Sequence, residues 1–315
     1  MSELRDLVAE ELGPPVDPRV AAVACAIAAQ HGAASRAVLF YGSCLREKQL
    51  DELMLDFYLI VSDYRAAYGK RWLAVANRLI PPNVFYFEHD GLAAKYAVLS
   101  ETDFARECGL DSRSTSVWAR FAQPSRLVWA LDEDARERTI NAVAECGPTL
   151  FEFTRPAMTG DDRNDPLAVY KAGFAFTYGA EVRAERKAKP SSVVDADKER
   201  YSRFGQAIIR IHALSKAPRL TKSTYKSSFQ EGAVRVRARK RAQRKWNAMQ
   251  RKGKMLSIAR LAKASFTFAG GAEYIAWKIN RHAGANIKLK PWQRRHPLLA
   301  GISLLPRLLR SGAVR

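Results

Sequence analysis

Hydrophobic positions in the first half of the chain come in short blocks of changing character. Asp17-Pro18 offers an N-cap followed by proline at the first helical position, and the VAAVACAIAAQHG run that follows predicts a buried helix. RAVLFYGS predicts a short apolar strand closing on Gly42-Ser43. After a polar loop, LMLDFYLIV (Leu53 to Val61) is nearly continuous in apolar residues. Its length and its β-branched and aromatic content predict a central strand, not a helix. YRAAYGKRWLAVANRLI carries helical periodicity as far as Pro81-Pro82. VFYFE and LAAKYAVLS predict two more strands about the turn residues His89-Asp90-Gly91. Ser100 and Asp103 form a capping box that opens another helix, and RLVWALD is a further strand. This alternation, to about residue 148, predicts an α/β domain.

From about residue 150 the pattern turns mostly helical, with basic segments between. The run Ala233 to Lys254 holds ten Lys or Arg and no acid, which predicts a solvated helix or a segment ordered on a polyanion. AEYIAWKINRHAG reads as a basic amphipathic helix. In HPLLAGISLLPRLLR, Leu298, Ile302, Leu305 and Leu309 recur at helical spacing behind Trp292 and Arg294-Arg295, the composition of an interfacial anchor. Pro306 would kink or end that helix.

Charge sharpens the division. The 315 residues carry a formal +20, but residues 1–166 hold 18 basic against 25 acidic side chains, and the remainder 34 against 7. An acidic front half joined to a very basic back half points to a polyanionic partner, nucleic acid or an anionic membrane surface. Trp246 stands alone among the aromatics of the most basic stretch, so stacking platforms for single strands are missing and nucleic acid is disfavoured. Cys25, Cys44, Cys108 and Cys146 form no CxxC pair, which fits reduced thiols. The N-terminus lacks the apolar core of a signal peptide, and no stretch has the roughly 18 apolar residues of a bilayer span. A cytoplasmic protein, peripheral on the inner face of the membrane, is expected.

The segment YGSCLREKQLDELMLDFYLIV carries the chemistry. A Gly-Ser pair ending a strand lets backbone N–H groups and a hydroxyl approach phosphate oxygens. Asp56, 13 residues after Ser43, sits inside an apolar strand where an idle carboxylate would be costly. Aimed at a phosphate loop, it could hold Mg²⁺ against a triphosphate. This is the general layout of nucleotidyltransferases. Asp63, at the end of the same strand, is a second metal candidate or the cap of the next helix.

Further segments resemble one family. YGSC, LDFYLIVSDY, NVFYFEHDGLAAKYAVLS with Lys95-Tyr96, WARFAQPSRLV with Arg120 and Pro124, TYGAEVRAE with Tyr178, Glu181 and Arg183, Lys189 downstream, and IARLAKASFTFAGG with Arg260, Lys263 and Gly270 follow in order. Together they are similar to the mitochondrial-type phosphatidate cytidylyltransferases, the translocator assembly and maintenance proteins. The resemblance runs over roughly residues 36–283. It implies an α/β nucleotidyltransferase-fold domain (1–148), a mainly helical, winged-helix-like basic domain (149–255) and a basic C-terminal helical segment bearing an amphipathic membrane anchor (256–315). It also implies Mg²⁺-dependent joining of CTP and phosphatidic acid into CDP-diacylglycerol and pyrophosphate. Asp56, Lys95 and Arg183 would be catalytic, Tyr41, Gly42, Ser43 and Lys189 would bind nucleotide, and Asp56 and Asp63 would meet the metal. Cys44 stands for the loop's second glycine, Ser62 for an aspartate and Gln123 for a lysine. These departures leave room for another lipid phosphate, such as a ceramide phosphate. An RNA-directed nucleotidyltransferase is favoured by charge alone, and a basic binding protein with a decayed site is disfavoured by Asp56.

Overall fold

A computed structural model of the chain describes residues 2–45, 50, 53–178, 190–215, 228–267 and 290. Its strands are β1 (Ser35–Tyr41), β2 (Met54–Val61), β3 (Asn83–His89), β4 (Leu92–Ser100) and β5 (Ser125–Ala130). The helices, in chain order, are α1 (Ser2–Leu12), α2 (Pro18–Gln30), α3 (Tyr64–Ala67), α4 (Arg71–Leu79), α5 (Glu101–Cys108) and α6 (Trp118–Phe121). They continue as α7 (Glu133–Ala144), α8 (Cys146–Thr154), α9 (Pro166–Tyr178), α10 (Pro190–Asp195), α11 (Lys198–Ser215) and α12 (Ser228–Thr267). None of the described helices is long and apolar enough to cross a membrane.

The chain divides into two compact units, each assembled from separated stretches. Of the described residues, the first takes 2–15, 102–127, 132–178, 190–215 and 228–255; the second takes 16–45, 50, 53–101, 128–131, 256–267 and 290. The expected segments 1–148, 149–255 and 256–315 therefore do not coincide with these units. The physical reason is visible in α1, which reads in sequence as a mere acidic stretch. Leu4, Val8 and Leu12 recur every four residues and are buried in the helical unit.

The second unit is built on the mixed five-stranded sheet, in the order β3-β4-β2-β1-β5. Strand β2 runs antiparallel to β1 and parallel to β4, and β3 is antiparallel to β4. From Phe57 to Val61 every β2 residue is buried, as the continuous apolar run requires of a central strand with both faces covered. Val20, Val23, Ala24 and Ile27 of α2 pack with Val38, Phe57, Leu59 and Val98 in one core. Helix α2 starts where expected, with Asp17 accepting from the Arg19 N–H at 2.8 Å. The helix expected over 64–80 is broken in two. Tyr68 turns extended (φ −123°, ψ 126°) before Gly69, and its buried ring packs on Phe85 (5.9 Å). That burial outweighs helical continuity.

The first unit is helical. Three glutamates of α1 meet three arginines of α11: Glu3 with Arg210, Glu10 with Arg203 and Glu11 with Arg200. Arg200 is buried, and it also donates to the Ala122 carbonyl at 3.1 Å. The basic run 233–254 lies within α12. Trp246 there is buried, donating to the Phe153 carbonyl at 2.8 Å with its ring 5.0 Å from that of Phe176.

Candidate active site

The residues picked from sequence meet across three strands of the second unit. Tyr41, the last residue of β1, is the register partner of Asp56 on β2, and Asp56 is the partner of Lys95 on β4. Register partners share a face of the sheet, so all three side chains leave the same side. The Lys95 Nζ stands 3.0 Å from Asp56 Oδ1. That oxygen is buried and accepts no well-formed hydrogen bond, so the pair is held by charge. Side-chain exposures of 23% for Asp56 and 31% for Lys95 leave the pair open to a ligand from one side.

Gly42 follows Tyr41 with φ +99°, a conformation that side chains rarely adopt. A Cβ on Gly42 would lie 3.3 Å from Asp56 Oδ2, so the missing side chain is what lets the loop and the carboxylate approach. The chain then enters a 3₁₀ turn at Ser43–Leu45, closed by Leu45 N–H to the Gly42 carbonyl at 3.3 Å. Cys44 does not face a ligand. It is buried in the core cluster, its thiol 3.5 Å from the Met54 carbonyl, so it packs inward.

Asp63 takes the other course that its position offered. Its Oδ1 accepts from the backbone N–H groups of Arg65 (2.7 Å) and Ala66 (3.1 Å), capping α3. It lies two residues past the end of β2 and seven past Asp56, on the order of 20 Å away at about 3.3 Å per extended residue. One ion cannot bridge the two carboxylates, so a cation shared between Asp56 and Asp63 is ruled out by the strand itself. Two residues beyond Asp56 on the same face stands Tyr58, buried, its ring 5.5 Å from that of Tyr41. Among the described residues there is no cluster of three or more metal-ligating side chains. Of the described side chains at this end of the strands, Asp56 is the carboxylate that a divalent ion would meet, with phosphate and water oxygens completing its shell. That donor set is within the habit of Mg²⁺, which commonly binds one or two carboxylates plus substrate phosphates.

On the opposite face, Tyr96 anchors the strand that carries Lys95. Its hydroxyl donates to Gln30 Oε1 at 3.0 Å and meets His31 Nε2 at 3.2 Å, while His31 Nδ1 lies 3.0 Å from the Ala67 carbonyl. Burial pushes the His31 imidazolium below its ordinary pKa and the Tyr96 phenol above its own. Glu181, Arg183 and Lys189 lie outside the described residues, as does the C-terminal segment with its leucine pattern. Arg120 and Gln123 belong to the first unit, where Gln123 donates back to the Ala119 carbonyl at 2.8 Å. Arg260 and Lys263, marked in the sequence only by the resemblance, hold the turn after α4. Arg260 Nε donates to the Pro81 carbonyl at 2.7 Å and Lys263 Nζ to that of Pro82 at 2.8 Å.

No protein-family model matches the chain, and no curated protein matches it. Among solved structures, it is similar to a nucleotidyltransferase-like protein from Exiguobacterium sibiricum 255-15, at 8% identity and a TM-score of 0.29, over 93% of this chain and 92% of the other. A likeness that loose carries no argument about fold or chemistry.

Proposed function

We propose that the chain is a Mg²⁺-dependent cytidylyltransferase that joins CTP to a lipid phosphate, phosphatidic acid first, giving a CDP-lipid and pyrophosphate. The observation that carries the reading is the approach of Gly42, Asp56 and Lys95 at one end of β1, β2 and β4. A lipid phosphate oxygen would attack the α-phosphorus of CTP, and the bond to the bridging oxygen of the β-phosphate would break. Such a transfer asks the protein to align three groups and to neutralise charge. The Gly42 turn supplies backbone close to the phosphates. Asp56 would hold Mg²⁺, which withdraws charge from the phosphate oxygens when bound. Lys95 is already beside Asp56 at 3.0 Å, placed to trade that carboxylate for a phosphate oxygen. Arg183 and Lys189 are assigned to the same phosphates on the resemblance alone. The protein would work from the cytoplasmic side, peripheral on the membrane.

An RNA acceptor is the second reading, favoured by the exposed cations of α12. Its weakness is Trp246, whose burial removes the aromatic in the basic run from any stacking role. The deciding experiment incubates the purified protein with labelled CTP, Mg²⁺ and a panel holding phosphatidic acid, ceramide phosphate and RNA. Label in CDP-diacylglycerol supports the proposal. Label in RNA, or in none of the products, overturns it.

A further inference from the structure

Helix α4 has a buried side and an open one. Its inner face is fixed to the sheet through Asn77, which donates to the Val98 carbonyl at 2.9 Å and accepts from the Asn83 N–H. Asn83 in turn donates to the Leu73 carbonyl at 3.0 Å. The outer face carries Trp72, Val75 and Leu79 at 48%, 57% and 70% exposure, spaced three and four residues apart. Lys70, Arg71 and Arg78 flank this stripe, and Arg65 lies just upstream, all exposed. From Tyr64 to Phe87 the chain contains no acidic residue.

The far end of α4 is held as well. Helix α12 clasps the turn after it, Arg260 donating to Pro81 and Lys263 to Ile80 and Pro82. These side chains satisfy the carbonyl of Ile80, which caps α4, and those of the two prolines after it. The clasp keeps another exposed apolar side chain, Ile258, on a helix fixed to the end of α4.

From these observations we infer that the outer face of α4 is a docking surface for an anionic phospholipid bilayer. Its apolar stripe would enter the headgroup boundary with Trp72 as the interfacial ring, and its cations would lie at the lipid phosphates. Charge complementarity selects that occupant: a protein partner of ordinary composition would not ask for 24 residues free of acid. The inference deepens the lipid-acceptor reading by giving the second unit its own contact with the layer that holds such an acceptor. Its test contains no substrate, so either idea can fail without the other.

An environment-sensitive NBD label is placed on Val75→Cys in a full-length Cys25→Ser chain, with Glu133→Cys as the control position. Phosphatidylcholine–phosphatidylglycerol vesicles should shift the emission at position 75 to the blue and leave position 133 unchanged. Pure phosphatidylcholine should produce little shift. The Trp72→Ser/Leu79→Ser variant should partition onto the mixed vesicles about tenfold less than the wild type. Its melting temperature and circular dichroism should match the wild type, which shows that the fold survives. No shift at position 75 on saturating mixed vesicles overturns the inference. So does an equal shift with neutral lipid, or a shift without vesicles that follows protein concentration and marks a protein partner.

Discussion

Gly42→Ala is the sharpest probe of the site, because the structure gives both of its costs. The backbone there has φ +99°, and a non-glycine residue in such a region costs about 1–3 kcal/mol. The new Cβ would also meet Asp56 Oδ2 at 3.3 Å, so the carboxylate must give way by a few tenths of an ångström. At about 2–4 °C per kcal/mol for a unit of this size, the melting temperature should fall by roughly 2–12 °C. Turnover should fall further than stability explains, by about tenfold to a hundredfold, since small misplacements of a phosphate-positioning group are felt strongly. The control is Gly69→Ala, where a Cβ meets nothing within 4 Å and φ is not positive. Both variants are compared by thermal unfolding and by initial rate with labelled CTP below the melting range. If Gly42→Ala melts and turns over like Gly69→Ala, the close approach of loop and carboxylate has no role in the chemistry, and the site assignment is wrong.

Asp56→Asn should keep the fold, since the side chain's shape is nearly unchanged, and lose most Mg²⁺-dependent turnover; normal activity would remove Asp56 from the site. CTP with Mg²⁺ should raise the melting temperature more than ATP or GTP does, approaching about 2.7 kcal/mol of stabilisation at a hundredfold excess over Kd; equal shifts with all three would refute cytidine selectivity. Arg200→Met should cost about 3–5 kcal/mol in urea unfolding because Glu11 is left charged and unpaired at only 11% exposure, and Arg200→Met/Glu11→Leu should recover most of it. His31 has its pKa lowered from 6.5 in the folded chain, so the unfolded chain binds more protons just below that value and stability must fall as pH drops through 6.5. His31→Gln should flatten that slope in urea midpoints measured above and below 6.5; an unchanged slope would assign it to other groups.

The sheet was legible in the sequence because each strand had its own short-range signature. The continuous apolar run of β2 and the turn at His89-Asp90-Gly91 both reflect local physics, and β1, β2, β3 and β4 form close to where those signals lie. Asp56 was legible for a similar reason, since a carboxylate inside an apolar strand needs an explanation. What was hidden depends on contacts far apart in the chain. Helix α1 gains its place from Leu4, Val8 and Leu12 and from partners near residue 200, and nothing local in an acidic N-terminus announces them. Tyr68 broke a helix for a ring contact with Phe85, also invisible to periodicity. Asp63 was ambiguous until the length of β2 put about 20 Å between it and Asp56. Lys95 needed the parallel pairing of β2 and β4 before it could be seen beside its carboxylate.

Charge was the most conspicuous feature of the sequence, and the fold changes what it means. Arg200, Arg203 and Arg210 lie on the basic side of the count, yet each faces a glutamate of α1, with the two helices antiparallel. Those arginines are neutralised within the first unit and add little to the attraction of a polyanion. The cations of α12 differ. Arg239, Lys240, Arg241, Arg244, Lys245, Arg251, Lys252 and Lys254 are all exposed, and their spacing carries them around the helix instead of along one stripe. Attraction through such a helix is long-ranged and salt-screened, as it would be for RNA as well as for lipid. The face of α4 adds the apolar stripe of Trp72, Val75 and Leu79, whose burial in a bilayer salt does not screen. Attachment that uses the α4 face should therefore weaken with salt and then level off. Binding that falls steadily with log[salt] to nothing would mean that α12 acts alone, on a purely electrostatic partner.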